Sequence, residues 1–205
     1  MPNHVTNRMS LSGKDEEIKK LITAIKNDEI GFGSVDFNKI IPMPDHIFRG
    51  NIGNEEKKKY GKNNWYDWSV ENWGTKWNAY HALGQTSEEP LPYVSAEEYQ
   101  KAYGNTLEFQ TAWSDVRQVM QKLSEKFPDV TIHYAWADED TGSNVGKAIY
   151  KKGEEVELFI PPDQSKEAYE MAFEAWGIEP AEHCWRYDED IGNYIYDEDL
   201  EMELC

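Results

Sequence analysis

Residues 107–128 read LEFQTAWSDVRQVMQKLSEKFP, and the spacing of their apolar side chains changes at Ser114. Before Ser114, apolar and polar residues alternate, which is the period of a half-buried strand. After Ser114, apolar residues recur at helical spacing as far as Phe127, and Pro128 ends the run. We therefore predict a strand over 107–113 and a helix over 115–127, with Ser114 as the helix cap.

A second unit of the same kind opens the chain. Apolar and polar residues alternate from Val5 to Leu11, and a helix with one apolar stripe is predicted over 14–27, capped by Ser12 or Asp15. The same reasoning places further strands at 76–82, 131–137, 145–150 and 156–160, and a last helix over 168–176.

The order of these elements predicts an α+β fold, a ferredoxin-like antiparallel sheet with two helices on one face. The expected core residues are Leu21, Ile25, Phe109, Val119 and Leu123. We expect a ferredoxin-like domain over 1–160, with two polar insertions at about 45–64 and 84–105. Residues 161–205 are expected to form an acidic, aromatic-containing C-terminal extension packed on that domain, because disordered segments are normally poor in aromatics.

Negative charge is concentrated at the C-terminal end of the 205-residue chain. The whole chain has 39 acidic and 21 basic residues, a net charge of −18, and residues 154–205 contain 17 of the acids with only two bases. This sign opposes binding to phosphate backbones and anionic lipid, so we expect neither direct nucleic-acid binding nor membrane binding. No stretch has the roughly 20 consecutive apolar residues of a membrane helix, and we expect a soluble, cytoplasmic protein.

Motifs for metal, cofactor or nucleophilic chemistry are missing from the sequence. The five histidines show no HExxH spacing, and neither Cys184 nor Cys205 belongs to a CxxC pair. The acids 138–140 precede Gly142 as in a calcium loop, but the alternating ligands and the distal glutamate are missing. We therefore expect no cofactor, no metal and no catalytic centre, with an enzyme of unrecognised type as the remaining alternative.

Four tryptophans fall within the thirteen residues 65–77. They are suited either to core packing or to a stacking platform for bases. We expect Trp73 and Trp77 to be buried, and Trp65 or Trp68 to contribute to an exposed aromatic patch. The platform keeps open the alternative of a small module that binds single-stranded nucleic acid with its sheet and this tryptophan block.

Several strings resemble the Api92-like family, also known from a plasmid protein called YubB. They are MPNHVTNRMSLSG (1–13), DFNKIIPMP (36–44), NNWYDWSVENWGTKWNAY (63–80), TAWS (111–114) and YAWADEDTG (134–142). The resemblance covers roughly residues 1–153. It implies a ferredoxin-like domain and an origin in a bacteriophage or another mobile element. Because the family is functionally uncharacterised, it implies no catalytic residues.

Spaced carboxylates on a folded support can imitate the phosphates of a duplex and occupy a basic groove. The acids expected to contact such a partner are Asp138, Glu139, Asp140, Asp188, Glu189, Asp190, Asp197, Glu198, Asp199, Glu201 and Glu203. Together with the resemblance, they favour a non-enzymatic phage or plasmid accessory protein that inhibits a host nucleic-acid-handling protein. Such a DNA mimic would serve in counter-defence, as an anti-CRISPR or anti-restriction protein. The competing interpretation is that the acidity serves solubility alone.

Overall fold

A computed structural model describes residues 2–86 and 89–197 of the chain. The strands are β1 (His4–Gly13), β2 (Thr106–Ala112), β3 (Val130–Asp138), β4 (Gly146–Lys151), β5 (Glu154–Phe159), β6 (Trp185–Asp188) and β7 (Asn193–Tyr196). The helices are α1 (Asp15–Ile25), α2 (Phe37–Ile40), α3 (Asn54–Tyr60), α4 (Trp65–Trp73), α5 (Ala96–Tyr103), α6 (Arg117–Lys126) and α7 (Lys166–Trp176). Within the described ranges, no helix is long and apolar enough to cross a membrane.

Strands β1 to β5 form one antiparallel sheet in the order β2-β1-β3-β4-β5. β1 pairs with both of its neighbours. In this register, Met9 lies opposite Leu107 of β2 and opposite Tyr134 of β3. β2 and β3 therefore run parallel to each other with β1 between them, and α6 connects them. This arrangement is a split βαβ unit, the building block of a ferredoxin-like sheet.

In a ferredoxin-like sheet, a strand beside β2 would complete a second unit of this kind, together with β1 and α1. Here a segment shorter than a strand takes its place. Instead of the strand predicted over 76–82, the structure has one antiparallel bridge between Tyr80 and Gln110, with N···O distances of 3.1 and 2.6 Å. The side-chain oxygen of Asn78 accepts hydrogen bonds from the N–H groups of Phe37 and Ala79, which ties this stretch to α2. The regular strand was thus a wrong prediction, although Tyr80 lies beside β2, where a ferredoxin-like sheet has its second strand.

Helices α1 and α6 pack on the same face of the sheet, as predicted. Along β1, alternate residues from Val5 to Leu11 are buried, and they share one apolar cluster with the buried residues of both helices. The five expected core residues are each at most 2% exposed, which confirms that prediction: Leu21, Ile25, Phe109, Val119 and Leu123. The predicted fold class, ferredoxin-like with helices on one face, is therefore confirmed.

α7 lies on the opposite face of the sheet and covers one end of it. Ala137 of β3, which alternates with the core-facing Trp136, is buried together with Ala172 of α7. The indole N–H of Trp176 donates hydrogen bonds to the carbonyl oxygens of Ala137 (3.2 Å) and Asp138 (3.0 Å). The segment after residue 161 is thereby fixed to the end of β3.

The two main helices begin at different residues from those predicted. α1 follows Lys14 rather than a capping Ser12 or Asp15. α6 follows Val116 and begins at Arg117, whose N–H donates to the Asp115 carboxylate at 3.0 Å. An additional turn at the end of β2 delays α6, because the carbonyl of Ser114 is bound by the Thr111 hydroxyl at 2.7 Å.

Candidate interaction surfaces

The acidic segment ends, within the described residues, in a two-stranded hairpin formed by β6 and β7. Asp188 shapes its turn, since one carboxylate oxygen accepts hydrogen bonds from the N–H groups of Asp190 (3.0 Å) and Ile191 (3.3 Å). Gly192 then adopts a φ of 65°, which glycine tolerates without strain, and its N–H donates to the Asp188 carbonyl at 2.8 Å. The carboxylate of Asp188 is therefore part of the turn.

Aromatic side chains hold this hairpin against α7. Tyr169 and Phe173 of α7 both contact Trp185, with ring centroids 4.9 and 5.8 Å apart, and Phe173 contacts Tyr194 at 5.1 Å. Tyr169 also packs on Gly142, where a Cβ atom would lie 2.7 Å from the ring. We call α7 and the hairpin, residues 166–197, the C-terminal lobe.

Arg186 neutralises part of the negative charge of the C-terminal lobe. Its guanidinium lies between two of the predicted contact acids, 2.8 Å from Asp197 and 3.3 Å from Asp188. Since both carboxylates already have an internal cationic partner, they have less charge to offer to another molecule.

Other acids of the C-terminal lobe are exposed and have no such partner. Among the described residues, no basic nitrogen lies within 4.0 Å of the carboxylate oxygens of five exposed acids of this lobe. These five residues are Glu167, Glu179, Glu182, Glu189 and Asp190. Of the predicted contacts, Glu189 and Asp190 therefore remain available, and Glu167, Glu179 and Glu182 join them. Their positions on one folded lobe were not evident from the sequence.

The remaining predicted acids differ in their surroundings. Asp138 is only 5% exposed and accepts hydrogen bonds from the amides of Asn3 and Asn144 and from the N–H of Asp140. Its carboxylate organises the turn after β3, so it is not a surface contact. Glu139 and Asp140 are exposed. Glu198, Asp199, Glu201 and Glu203 lie outside the described residues.

The tryptophan block divides into buried and exposed members. Trp73 is 3% exposed, as predicted, and Trp68 packs edge-on against it with ring centroids 5.3 Å apart. Trp65 is half-buried, and its indole N–H donates to the Gly50 carbonyl at 3.1 Å. The prediction for Trp77 was wrong, because it is 38% exposed: the strand that would have placed it in the sheet does not form.

A further exposed tryptophan was missed. The alternation along β2 predicts that Trp113 faces the core with Phe109 and Thr111, but its side chain is 43% exposed. Trp113 has a φ of 70°, a left-handed conformation that interrupts the alternation directly after β2. No residue pattern in the sequence indicates this change.

The face of the sheet that α7 leaves partly uncovered carries the exposed ring of Phe159, whose centroid is 5.4 Å from Nζ of Lys147. Beside it is a shallow depression lined by residues that include Arg8, Ser10, His133, Lys147 and Glu157. Large aromatic rings are not among its lining residues apart from the core-facing Tyr134. Within the residues that the structure describes, no three His, Cys, Asp or Glu side chains could hold a metal ion.

The exposures of the tryptophans predict how acrylamide quenches the intrinsic fluorescence. Replacing Trp77 by phenylalanine should lower the quenchable fraction of the emission, because this removes an accessible indole. Replacing Trp73 by phenylalanine should leave that fraction unchanged or raise it. Equal effects of the two substitutions in Stern–Volmer titrations would contradict the difference in exposure.

Comparison with known families identifies the central part of the chain. Residues 93–179 match the model of a family described as "Ferredoxin-like domain in Api92-like protein". The match begins before α5, includes β2 to β5 and ends after α7, so it extends beyond residue 153, where the sequence resemblance was expected to stop. No curated protein and no solved structure matches the chain. Residues 93–179, which supply four of the five strands of the main sheet, are therefore similar to the ferredoxin-like domain described for Api92-like proteins.

Proposed function

We propose that this protein binds a host nucleic-acid-handling protein and inhibits it without catalysis, and that the C-terminal lobe is the contact surface. The observation that supports this proposal is the set of five exposed carboxylates without an ionic partner, carried by a lobe that aromatic packing holds in place. The target is a protein with a basic nucleic-acid-binding groove. Defence nucleases, such as CRISPR effectors and restriction enzymes, have grooves of this kind.

The physical basis is competition for positive charge. A groove that binds a duplex presents lysine and arginine side chains at the spacing of phosphates. Exposed carboxylates that are not neutralised within their own protein can engage the same cations, and complementary potentials accelerate the encounter of the two proteins. Arg186 reduces the number of carboxylates available to a partner, because it forms ion pairs with Asp188 and Asp197.

Solubility alone does not account for the structure of the lobe. A high net charge keeps a protein soluble wherever the charges lie. Here the rings of Tyr169, Phe173, Trp185 and Tyr194 form a small apolar cluster whose effect is to hold an acidic hairpin in one orientation. A fixed orientation matters for recognition, whereas solubility does not require it.

Neutralising the lobe should weaken binding while leaving the fold intact. In the test variant, Glu179, Glu182 and Glu189 become glutamine and Asp190 becomes asparagine. The matched control neutralises four exposed acids outside the lobe, Glu29, Asp45, Glu71 and Asp129, and so has the same net charge. Both variants are titrated against a guide-loaded CRISPR nuclease and a type II restriction enzyme, with plasmid cleavage and biolayer interferometry as readouts.

We expect the unmodified protein to inhibit one of these nucleases and to lose affinity as salt screens the exposed charges. The lobe variant should bind at least about tenfold more weakly, since losing each charge contact reduces complementarity. The control variant should retain its affinity, and both should melt at or above the unmodified temperature because self-repulsion decreases. Equal inhibition by the lobe variant, or no inhibition of either nuclease by the unmodified protein, would contradict the proposal.

A further inference from the structure

Lys76 lies between two exposed tryptophans that come from different parts of the chain. Its Nζ atom is 4.3 Å from the ring centroid of Trp77 and 5.0 Å from that of Trp113. The two indoles are 38% and 43% exposed. Among the described residues, no carboxylate oxygen lies within 4.0 Å of this ammonium group, so its charge is not neutralised by an ion pair. We call these three residues the aromatic–lysine site.

The backbone holds Trp113 in this exposed position. A φ of 70° is costly for a bulky residue, and such a conformation persists only where the surroundings impose it. Both backbone polar groups of Trp113 are bound: its N–H donates to the Asn3 carbonyl at 2.9 Å, and its carbonyl accepts from the Asn144 amide at 3.2 Å. Contacts from two distant segments thus fix the backbone that carries this exposed indole.

A cleft with a second lysine and further aromatic residues adjoins the aromatic–lysine site. Lys76 also lines a cleft of about 290 Å³ together with Lys57, Trp65 and Tyr66. Two lysines and two aromatic residues therefore border a cavity that also contains Asp67, whose carboxylate accepts a hydrogen bond from the Asn64 amide at 2.5 Å. This combination suits a ligand that has a flat ring and a negative charge on the same molecule.

The charges around the site determine the orientation in which such a ligand would bind. On the side away from the cleft, Tyr80 contacts Trp77 with ring centroids 6.3 Å apart, and its hydroxyl is hydrogen-bonded to His4. Burial and the nearby Glu139 raise the pKa of Tyr80 to about 12, and Glu139 is itself an exposed carboxylate on this side. An anionic group would be repelled there and attracted by Lys57 and Lys76 at the cleft.

We propose that the aromatic–lysine site binds nucleobases that carry a phosphate, presented by single-stranded nucleic acid. A base stacks on the exposed face of Trp77 or Trp113, and a phosphate lies at Lys76 and Lys57. Every base has a face that can stack, so the site has little sequence preference. Duplex DNA is excluded, because its bases are already stacked on one another. At about 0.1 M salt, charges farther away than the Debye length of about 10 Å are largely screened, so acids beyond that distance do not prevent binding.

The test measures the fluorescence anisotropy of a fluorescein-labelled dT10 strand titrated with the full chain in 0.1 M salt. Three variants probe the site: Trp77→Ala, Trp113→Asn and Lys76→Gln. Asparagine is chosen at position 113 because it tolerates the left-handed backbone conformation while removing the ring. The matched control is Tyr187→Ala, which removes another exposed ring beneath a lysine, with Lys166 Nζ 4.9 Å from its centroid, but in the acidic C-terminal lobe.

We expect saturable binding of dT10, a loss of about tenfold in affinity for each tryptophan variant, a comparable loss for Lys76→Gln, and no loss for the Tyr187→Ala control. A duplex of the same length should not compete. Free thymidine monophosphate is a second competitor: competition at the same concentration of nucleotide units would identify a mononucleotide site, and weaker competition supports a strand. Absence of dT10 binding, or equal binding by the folded Trp77→Ala and Trp113→Asn variants, would overturn the proposal.

Discussion

Replacing Leu123 by alanine should lower the free energy of unfolding by about 2–5 kcal/mol, because a buried leucine side chain is lost and a cavity remains. Leu123 is fully buried at the centre of α6, in the cluster that joins this helix to α1 and the sheet. With a total stability of roughly 5–15 kcal/mol for a domain of this kind, this single change removes a large fraction. Urea titration followed by circular dichroism measures the effect.

Lys122→Ala is the matched control for that substitution. Lys122 is the preceding residue on the same helix, and its ammonium forms a solvent-exposed ion pair with Glu125. Exposed pairs of this type contribute about 0–1 kcal/mol, so the control should hardly move the midpoint. Similar midpoints for the two variants would show that α6 does not pack as described.

Replacing Asn7 by alanine should destabilise the protein by about 2–4 kcal/mol, through a small cavity and through polar groups left without partners. Asn7 is fully buried in β1. Its amide donates to the Thr111 hydroxyl (2.9 Å) and to the Val5 carbonyl (2.8 Å), and its oxygen accepts from the Tyr134 hydroxyl (2.5 Å). Burial raises the pKa of Tyr134 well above its ordinary value, so this hydroxyl remains a donor throughout the physiological range.

A double-mutant cycle with Tyr134→Phe separates the hydrogen bond from the loss of packing. After Asn7→Ala alone, the Tyr134 hydroxyl loses its acceptor inside the core. Removing that hydroxyl as well should recover part of the cost, with a coupling energy of about 0.5–3 kcal/mol. Costs that simply add would contradict a direct Asn7–Tyr134 bond. The same network bears on the aromatic–lysine site, since the Tyr134 hydroxyl also accepts the N–H of Val116, close to Trp113.

Local pattern was sufficient for most of the fold. The alternation in 107–113 and the helical spacing in 115–127 predicted β2 and α6 because these elements are amphipathic, and each has one face that must be buried. The same logic identified Leu21, Phe109 and Leu123 as core. It failed at 76–82, where Asn78 uses its side chain to bind backbone N–H groups, a choice that depends on the nearby N–H of Phe37.

The candidate sites were predicted less completely, because net charge is a property of composition, whereas availability for binding is a property of position. The sequence indicated that the C-terminal quarter is acidic and that its aromatics would keep it folded. It could not distinguish Glu189, which is exposed, from Asp188 and Asp197, whose carboxylates flank Arg186. The sequence also placed Asp138 among the acids of a surface turn. In the structure, its carboxylate accepts hydrogen bonds from three donors within the protein.

By itself, the sequence determined the class of fold, the packing of two helices on one face of the sheet and the concentration of acidic residues near the C-terminal end. These features follow from periodicity and composition, which can be read from local stretches of the chain. Only the tertiary structure decided which acids remain without a partner and which tryptophans reach the surface. Trp113 shows the reason, because the pattern of β2 assigns it to the core. Its N–H donates to the Asn3 carbonyl and its carbonyl accepts from the Asn144 amide, and with these partners, distant in sequence, its backbone has a φ of 70° and its exposed ring lies beside Lys76. Contacts between residues so far apart in the chain have no counterpart in a local pattern.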